Sequence, residues 1–362
     1  MARLNLRDRD SIFTQEGLLF RVFGYSHPPN KYICDAEYAS ANVFTSKDPR
    51  APRTGGNQHF YKFYNDEGMK LVLKRYPQYT VFHEMLGQKV VAVNPDGAEV
   101  RKPEKRLPEL MATEPKDTLV DATQRVLNTL LQQSGLSMEN FGVFGSMLHG
   151  FHHPDFSDID LVVYGRKENA TMREVLAALY ADDASDFKNE FANADVMQGK
   201  QWRYKNLTVK EFLLHQRRKQ IYGLFNDAKS GRVTKAEFEP VKAWSEISSE
   251  YDPDARIVQK GWVKLKARVV DDADAPFIPS VYVIKPMEVL SGPREALEAV
   301  RIFSYMEEFR LQAQKDETII VEGNLEEVAS PKCGFHQVTL TYCPRYYEQV
   351  LKVDGLSQDS TI

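Results

Sequence analysis

The sequence predicts an α/β (α+β) protein built from three segments, and three observations support this prediction. Residues 1–110 are rich in strand formers separated by turn signals, residues 117–285 alternate helical stretches with short apolar runs, and residues 286–362 mix one helical stretch with strand candidates. The sequence contains no internal repeat or low-complexity tract. We therefore expect an N-terminal β-rich module, an α/β core and a C-terminal α+β module.

The composition excludes several classes of protein. Of the 362 residues 42% are hydrophobic and 27% are charged, and no apolar run approaches the ~18 residues that a membrane helix needs. The N-terminus lacks the apolar stretch of a secretory signal. The three cysteines, Cys34, Cys333 and Cys343, are too few and too scattered for a disulfide framework. We expect a cytoplasmic protein that does not bind a membrane.

The N-terminal module is predicted from two strand-like runs, GLLFRVFGY and KYICDAEYA, and from turn signals at HPPN and RTGGN. We expect it to end at about residue 110, within the stretch RKPEKRLPELMATEPKD. This stretch combines three prolines with mixed charge, which is typical of a solvated linker rather than a packed element.

A basic and aromatic stretch of this module points to RNA as one candidate partner. The chain has a net charge of -4, but residues 1–116 contain 18 Lys and Arg against 14 Asp and Glu. In QHFYKFYNDEGMKLVLKRYPQY aromatic residues alternate with Lys62, Lys70, Lys74 and Arg75, as in proteins that bind single strands. Aromatic residues at these spacings are more often part of a hydrophobic core. The residues concerned are Phe60, Phe63, Tyr64 and Tyr76.

The α/β core is predicted to open with a helix from about Thr118 to Ser134, because its apolar residues recur at helical spacing and Gly135 is a stop signal. Two strand-like runs follow, NFGVFGS and DIDLVVYG. A second helix is expected from Thr171 and a third from Thr208, each with a glutamate at the spacing of a capping box. Later strand candidates are AEFEPVKAW, GWVKLKARVVD, TIIVEGNLEEV and FHQVTLTYC, with a helical stretch around EALEAV.

The third helix carries a run of three cations, Arg217, Arg218 and Lys219, before a stop signal at Gly223. Guanidinium groups pair with phosphate oxygens, so this run is a candidate for binding the phosphates of a nucleotide or of an acceptor. A charge run on a helix is also commonly a solvated face without a ligand. Both interpretations fit the sequence.

The segment that carries chemistry is GVFGSMLHGFHHPDFSDIDLVVYG, residues 142–165. Because side chains alternate along a strand, we expect Asp158 and Asp160 on one face while Ile159 and Leu161 enter the core. Two carboxylates held this close repel each other unless a cation lies between them. Their oxygen atoms suit Mg²⁺ or Mn²⁺ bound together with substrate phosphates. The pair is therefore a candidate metal site.

Gly145 and Ser146 form a candidate phosphate clamp upstream of this pair. A glycine lets the backbone approach a ligand closely, and a serine hydroxyl can donate to a phosphate. The 12 positions from Ser146 to Asp158 leave a loop long enough to bring clamp and carboxylates to one substrate. His149, His152 and His153 lie in this loop. A zinc cluster, contacts to a triphosphate and a solvated loop without a ligand are the interpretations open to them.

This combination of strand, Gly-Ser, short loop and S-D-I-D followed by apolar residues resembles the signature of the DNA polymerase beta nucleotidyltransferase superfamily. The resemblance implies an active-site sheet with helices packed against it, two divalent metals, and transfer of a nucleotidyl group from an NTP such as ATP with release of pyrophosphate. It implies that Gly145 and Ser146 hold the triphosphate and that Asp158 and Asp160 bind the metals. Over its whole length the chain also resembles a group of archaeal proteins with a nucleotidyltransferase core and no assigned substrate, through the stretches RDRDSIFTQEGLLFRVFGYSHP, RRKQIYG, KARVVDDADAPFIPSVY and VEGNLEEV.

The superfamily adds a third carboxylate from a nearby strand. Glu239 is the favoured candidate because it follows the third helix directly, and Asp271 is the alternative. For either residue an exposed acid without a catalytic role is equally compatible with the sequence. Three functions stay open: transfer to an RNA end, transfer to a protein or small molecule, and a non-catalytic nucleotide-binding module.

Overall fold

The computed structural model describes residues 5–55, 58–192, 194–331 and 334–356. The chain forms two compact units, and each draws on separate parts of the sequence. Unit 1 contains Met1–His83, Gly87–Val175 and Phe225–Tyr251, and unit 2 contains Glu84–Leu86, Leu176–Leu224 and Asp252–Ile362. The mixed α/β class is confirmed. The division into units falls elsewhere than near residues 110 and 286, and the N-terminal module shares unit 1 with the motif of residues 142–165.

Eight short strands form the sheet of the N-terminal part of unit 1. They are β1 (Ser11–Phe13), β2 (Leu18–Val22), β3 (Tyr32–Ser40), β4 (Pro52–Gly55), β5 (Gln58–Lys62), β6 (Thr80–His83), β7 (Gln88–Val93) and β8 (Glu99–Arg101), with helix α1 (Glu67–Arg75) between β5 and β6. The order is β4-β5-β3-β2-β1-β8, and β7 pairs with both β3 and β6. Phe60 and Phe63 are 3% and 7% exposed, so these two aromatics belong to the core.

A helix occupies the stretch for which the sequence suggested a solvated linker. Helix α2 spans Pro103–Met111, has a proline at its first position and buries Leu107 and Leu110. Proline is tolerated in the first turn of a helix because the N–H there has no partner within the helix. The linker prediction is wrong because two leucines three residues apart give this short helix an apolar side that packs inward.

The next helix has the bounds that the apolar spacing predicted. Helix α3 spans Thr118–Ser134, and the side chain of Asp117 caps its start by accepting the N–H groups of Leu119 and Val120. Gly135 ends the helix with a φ of 67°, a backbone conformation that favours glycine. The buried face of the helix includes Leu119, Val120, Val126, Leu127 and Leu130.

The elements that follow carry the motif. They are β9 (Phe141–Val143), α4 (Gly145–His149), β10 (Ile159–Tyr164), α5 (Arg166–Ala181), β11 (Phe187–Asn189), α6 (Val209–Lys219), β12 (Tyr222–Asp227) and β13 (Arg232–Val241). In unit 1, β10 lies between β9, which is antiparallel to it, and β13, which is parallel. Thr208 and Glu211 form the predicted capping box of α6. Helix α5 begins at Arg166 and not at Thr171.

Unit 2 is built on a sheet of six strands. They are β14 (Arg256–Asp274), β15 (Ser280–Ser291), β16 (Ala299–Ser304), β17 (Thr318–Ala329), β18 (Gly334–Leu340) and β19 (Val350–Val353). The order is β14-β15-β16-β18-β17-β19, and β14 also pairs with β17, so five of the strands close on themselves. Residue 286 lies inside β15, and the stretch EALEAV is a 3₁₀ turn leading into β16. The described residues include no helix long and apolar enough to cross a membrane.

Candidate active site

Asp160 is the second residue of β10, and Asp158 directly precedes the strand. Ile159 and Leu161, at the alternate positions, are both fully buried, whereas the two aspartates are half-buried. Neither carboxylate forms an ion pair with any residue in the described part of the chain. Asp160 alternates with the buried Ile159 and Leu161 as the period of two predicts, and a shared face for Asp158 stays a prediction.

Glu237 lies directly opposite Asp160 on the neighbouring strand. Strands β10 and β13 run parallel, and their register pairs Asp160 with Glu237 and Val162 with Glu239. Residues paired across parallel strands project to the same side of the sheet, so Glu237 is the acid beside Asp160. Glu237 also forms an ion pair with Lys235 two residues earlier. Sequence reasoning missed Glu237 because Glu237 and Glu239 share one face of β13, and only the register distinguishes them.

Glu239, the favoured third carboxylate, has a different partner. It is 4% exposed, and its Oε2 accepts a hydrogen bond from Nη2 of Arg9 at 2.7 Å. Arg9 is itself 2% exposed, so this is a buried ion pair. The alternative candidate, Asp271, is exposed on β14 of unit 2, where its carboxylate accepts the N–H of Ala273.

Gly145 brings the backbone of α4 against the carboxylate of Asp160. Its φ is 60°, and a Cβ atom at this position would lie 3.2 Å from Cγ of Asp160 and still closer to Oδ2. The N–H of Phe144 donates to the carbonyl oxygen of Asp160 at 3.1 Å and ties the end of β9 to β10. Ser146 follows as a 7% exposed residue of α4. Clamp and carboxylates therefore meet at one edge of the sheet.

The loop between clamp and carboxylates is held by contacts to neighbouring elements. Arg232 of β13 donates to the carbonyl oxygen of Ser157 at 2.7 Å and also to that of Pro154. Nε2 of His152 lies 3.0 Å from Oδ2 of Asp117, the residue that caps α3. These contacts fix the chain immediately before Asp158.

The three histidines of this loop have separate surroundings. Nδ1 of His149 lies 3.2 Å from Nη1 of Arg101, and burial together with this cation lowers the pKa of His149 to about 3. His152 contacts Asp117, whereas His153 is exposed and stacks on Phe156. No group of three His, Cys, Asp or Glu side chains is arranged as a preformed metal site within the described ranges. The zinc interpretation therefore has no geometric support.

The electrostatics of the carboxylates favour a cationic ligand. Burial raises the pKa of Asp160, and the charges of Glu237 and Asp158 raise it further. Burial also raises the pKa of Asp158, while Lys235, Arg232 and Lys62 act in the opposite direction. Carboxylates whose ionised form is disfavoured by burial and by each other are stabilised when a cation binds.

The donor set fits Mg²⁺ or Mn²⁺ bound together with a substrate. Asp158, Asp160 and Glu237 offer oxygen ligands, which these ions prefer, but within the described ranges the three side chains are not gathered into a site of three protein ligands. Mg²⁺ is commonly held by one or two carboxylates plus substrate phosphates and water, so a closed cage of protein ligands is not required.

The cations of α6 all lie in unit 2. Lys219 is fully buried and donates to the carbonyl oxygen of Glu308 at 2.6 Å, and Arg218 forms an ion pair with Glu317. Arg217 is exposed. Two of the three side chains thus bind partners within unit 2. They contribute to the packing of that unit and do not form a solvated face.

Comparison with known proteins agrees with this geometry. Residues 124–222 match the family model described as nucleotidyltransferase domain. The uncharacterized protein MJ1086 of Methanocaldococcus jannaschii is 26% identical over 329 residues, which cover 90% of this chain and 92% of the relative. No solved structure matches the chain significantly.

Proposed function

From the premise that residues 124–222 form a nucleotidyltransferase domain, we propose that this protein transfers a nucleotidyl group from an NTP to an acceptor hydroxyl. The observation that carries the proposal is the pairing of Asp160 with Glu237 on adjacent parallel strands, with Gly145 against Asp160. Acids on two strands and a backbone clamp at one sheet edge suit a metal-bound triphosphate.

The reaction replaces the phosphoanhydride bond between the α- and β-phosphates by a phosphoester bond to the acceptor. The acceptor oxygen forms a bond to the α-phosphorus, the bond from that phosphorus to the bridging oxygen breaks, and pyrophosphate leaves with the electron pair. Glu237 accepts the proton of the acceptor hydroxyl. Asp158, Asp160 and Glu237 would hold a divalent cation, which when bound neutralises phosphate charge and favours the ionised acceptor. Gly145 and Ser146 orient the triphosphate for in-line displacement.

The proposal is tested with NTPs that carry the label on the α-phosphate. The wild-type protein, Mg²⁺ and each NTP are incubated with total cellular RNA, with protein and with small metabolites in separate reactions. We expect label in one acceptor fraction, release of pyrophosphate, and loss of both in Asp160→Asn. Nucleotide binding without pyrophosphate release in any fraction would contradict transfer and favour a non-catalytic nucleotide-binding module.

RNA is the acceptor that the charge of residues 1–116 favours, since they contain 18 Lys and Arg against 14 Asp and Glu. Lys74 and Arg75 are exposed at the end of α1, and α1 belongs to the same compact unit as the carboxylates. The logarithm of the RNA-binding constant falls linearly with the logarithm of the salt concentration. Each phosphate contacted on a single strand adds about 0.7 to the slope. Lys74→Ala with Arg75→Ala should lower this slope and leave NTP binding unchanged.

The matched control removes two exposed cations of unit 2, Lys285 and Arg294, by substitution with Ala. The control should keep the salt dependence of the wild type. Transfer of label to protein or metabolite, in a protein without RNA affinity at low salt, would reject RNA and select the second acceptor class.

A further inference from the structure

Strand β5 of the N-terminal sheet places a lysine near the candidate active site. Lys62 is the last residue of β5, and its register partner on β3 is Tyr38. Nζ of Lys62 lies 6.0 Å from the ring centroid of Tyr38, and the lysine side chain is half-buried. Tyr38 is 2% exposed, so its ring is held in place by packing and supports the side chain of Lys62.

The ring of Tyr38 packs on the segment that follows the Gly-Ser clamp. Its centroid lies 5.7 Å from that of His149, the last residue of α4, and 4.9 Å from that of Phe151. Strand β4 makes a second contact with this segment, since a Cβ on Gly55 would lie 2.9 Å from Cβ of Phe151 and 3.1 Å from the carbonyl oxygen of Gly150. The hairpin of β4 and β5 thus lies directly on the chain that leads out of the clamp.

The candidate ligand Asp160 lies at the other end of the same short segment. Gly145, four residues before His149, packs against the carboxylate of Asp160. Within the described residues Lys62 forms no ion pair, so it stays more than 4.0 Å from every carboxylate oxygen there. A lysine without a carboxylate partner, on a hairpin that packs beside the clamp, can bind a polyanion held there.

The other cations near the carboxylates are already engaged. Lys235 pairs with Glu237, and Arg232 donates to carbonyl oxygens of the loop before Asp158. Among these cations Lys62 has its charge available for a ligand.

We infer that Lys62 binds the β- and γ-phosphates of the NTP and so holds the departing pyrophosphate from the side of the N-terminal sheet. The inference rests on the proposed function and adds a residue that lies outside residues 124–222, the range of the matched domain. A lysine ammonium suits this role because it is a compact point charge that donates to phosphate oxygens. Lys62 is a binding residue in this scheme and takes no proton from the acceptor.

The test measures binding by calorimetry in the presence of Mg²⁺, with ATP, inorganic tripolyphosphate and AMP as separate probes. Lys62→Met should weaken binding of ATP and of tripolyphosphate by about 10- to 100-fold, the range expected for a hydrogen bond to a charged group. AMP lacks the β- and γ-phosphates, so its affinity should not change. Lys62→Arg should recover part of the loss. The control is Lys70→Met, since Lys70 is an exposed lysine of the same module whose partner is Asp66.

Each outcome separates this inference from the proposed function. Wild-type affinity for ATP in Lys62→Met would overturn the role of Lys62 and leave the proposed function standing. An equal loss for ATP and AMP would assign Lys62 to the packing of Tyr38, which also overturns the inference. A wild-type protein that binds neither ATP nor tripolyphosphate would overturn the proposed function itself. If Lys62→Met does not fold, Lys62→Gln and Lys62→Arg are compared with the same three probes.

Discussion

Gly145 leaves no room for a side chain beside Asp160. Its φ of 60° lies in the left-handed region, and the space of a Cβ atom is occupied by the carboxylate of Asp160. Gly145→Ala should therefore displace the carboxylate and reduce transfer by about 100-fold, the effect of misplacing a reacting group by ~1 Å.

The control for this substitution is Gly135→Ala. Gly135 has a φ of 67° but no atom within 4 Å of the added Cβ, so it tests the backbone conformation without the collision. The control should lose about 1–2 kcal/mol of stability and keep its activity. Equal turnover in the two variants would show that the contact with Asp160 has no role.

Glu237 and Glu239 should differ in what their loss affects. Glu237→Gln removes the acid opposite Asp160 and should reduce transfer by about 10²–10⁴-fold with the fold retained. Glu239→Gln breaks the buried ion pair with Arg9, which also contacts Asp8 at 3.9 Å, and should reduce the free energy of unfolding by about 3–5 kcal/mol.

Urea unfolding and the transfer assay, performed on both variants, distinguish the two residues. A stable Glu239→Gln protein without activity, beside an active Glu237→Gln protein, would instead assign the third carboxylate to Glu239.

Asp160→Asn should stabilise the protein when metal is absent. Burial and the charges of Glu237 and Asp158 disfavour the ionised form of Asp160, and the neutral amide removes this repulsion. We expect a higher Tm near neutral pH in the presence of a chelator, by about 2–4 °C per kcal/mol of relieved repulsion. Asp158→Asn should gain less, because three nearby cations already offset the charge of Asp158.

Addition of Mg²⁺ and ATP should reverse the order, since a ligand stabilises the protein that binds it. A metal-free Asp160→Asn protein with a lower Tm than wild type would show that the Asp160 carboxylate is stabilised by contacts within the protein.

Asp10 should make stability depend on pH. Its side chain is fully buried, and burial together with Glu104 raises its pKa to about 8, against the opposing charges of Lys102 and Arg7. Between these two pH values Asp10 is protonated in the folded state and ionised in the unfolded state, where its pKa is the ordinary 3.8. The stability due to Asp10 is complete below that value and is lost as the pH rises to about 8.

The difference in unfolding free energy between wild type and Asp10→Asn isolates this residue. This difference should change by at most about 1.4 kcal/mol for each pH unit between pH 5 and 8. Asp96→Asn removes an exposed carboxylate and is the control. A difference for Asp10→Asn that is flat across this range would contradict a buried, protonated Asp10.

The sequence predicted the elements whose signals are local. The apolar spacing of Thr118–Ser134 and the stop at Gly135 gave the bounds of α3, and the capping box of Thr208 and Glu211 marked the start of α6. These signals lie within one or two turns of a helix, so they do not depend on partners elsewhere. The linker prediction failed at Pro103–Met111 because packing of Leu107 and Leu110 outweighs the propensity of the prolines to interrupt a helix.

The sequence by itself predicted that the two aspartates and the Gly-Ser pair belong to one site, because strand alternation and a short loop are properties of neighbouring residues. Only the tertiary structure decided which acid faces Asp160, since the parallel register of β10 and β13 joins residues 77 positions apart in the chain, Asp160 and Glu237. It also decided that Glu239 pairs with Arg9 and that Lys62 lies near the carboxylates, because both contacts depend on how distant strands pack. Spacing along a chain specifies the face of a strand, and register between strands specifies the neighbour.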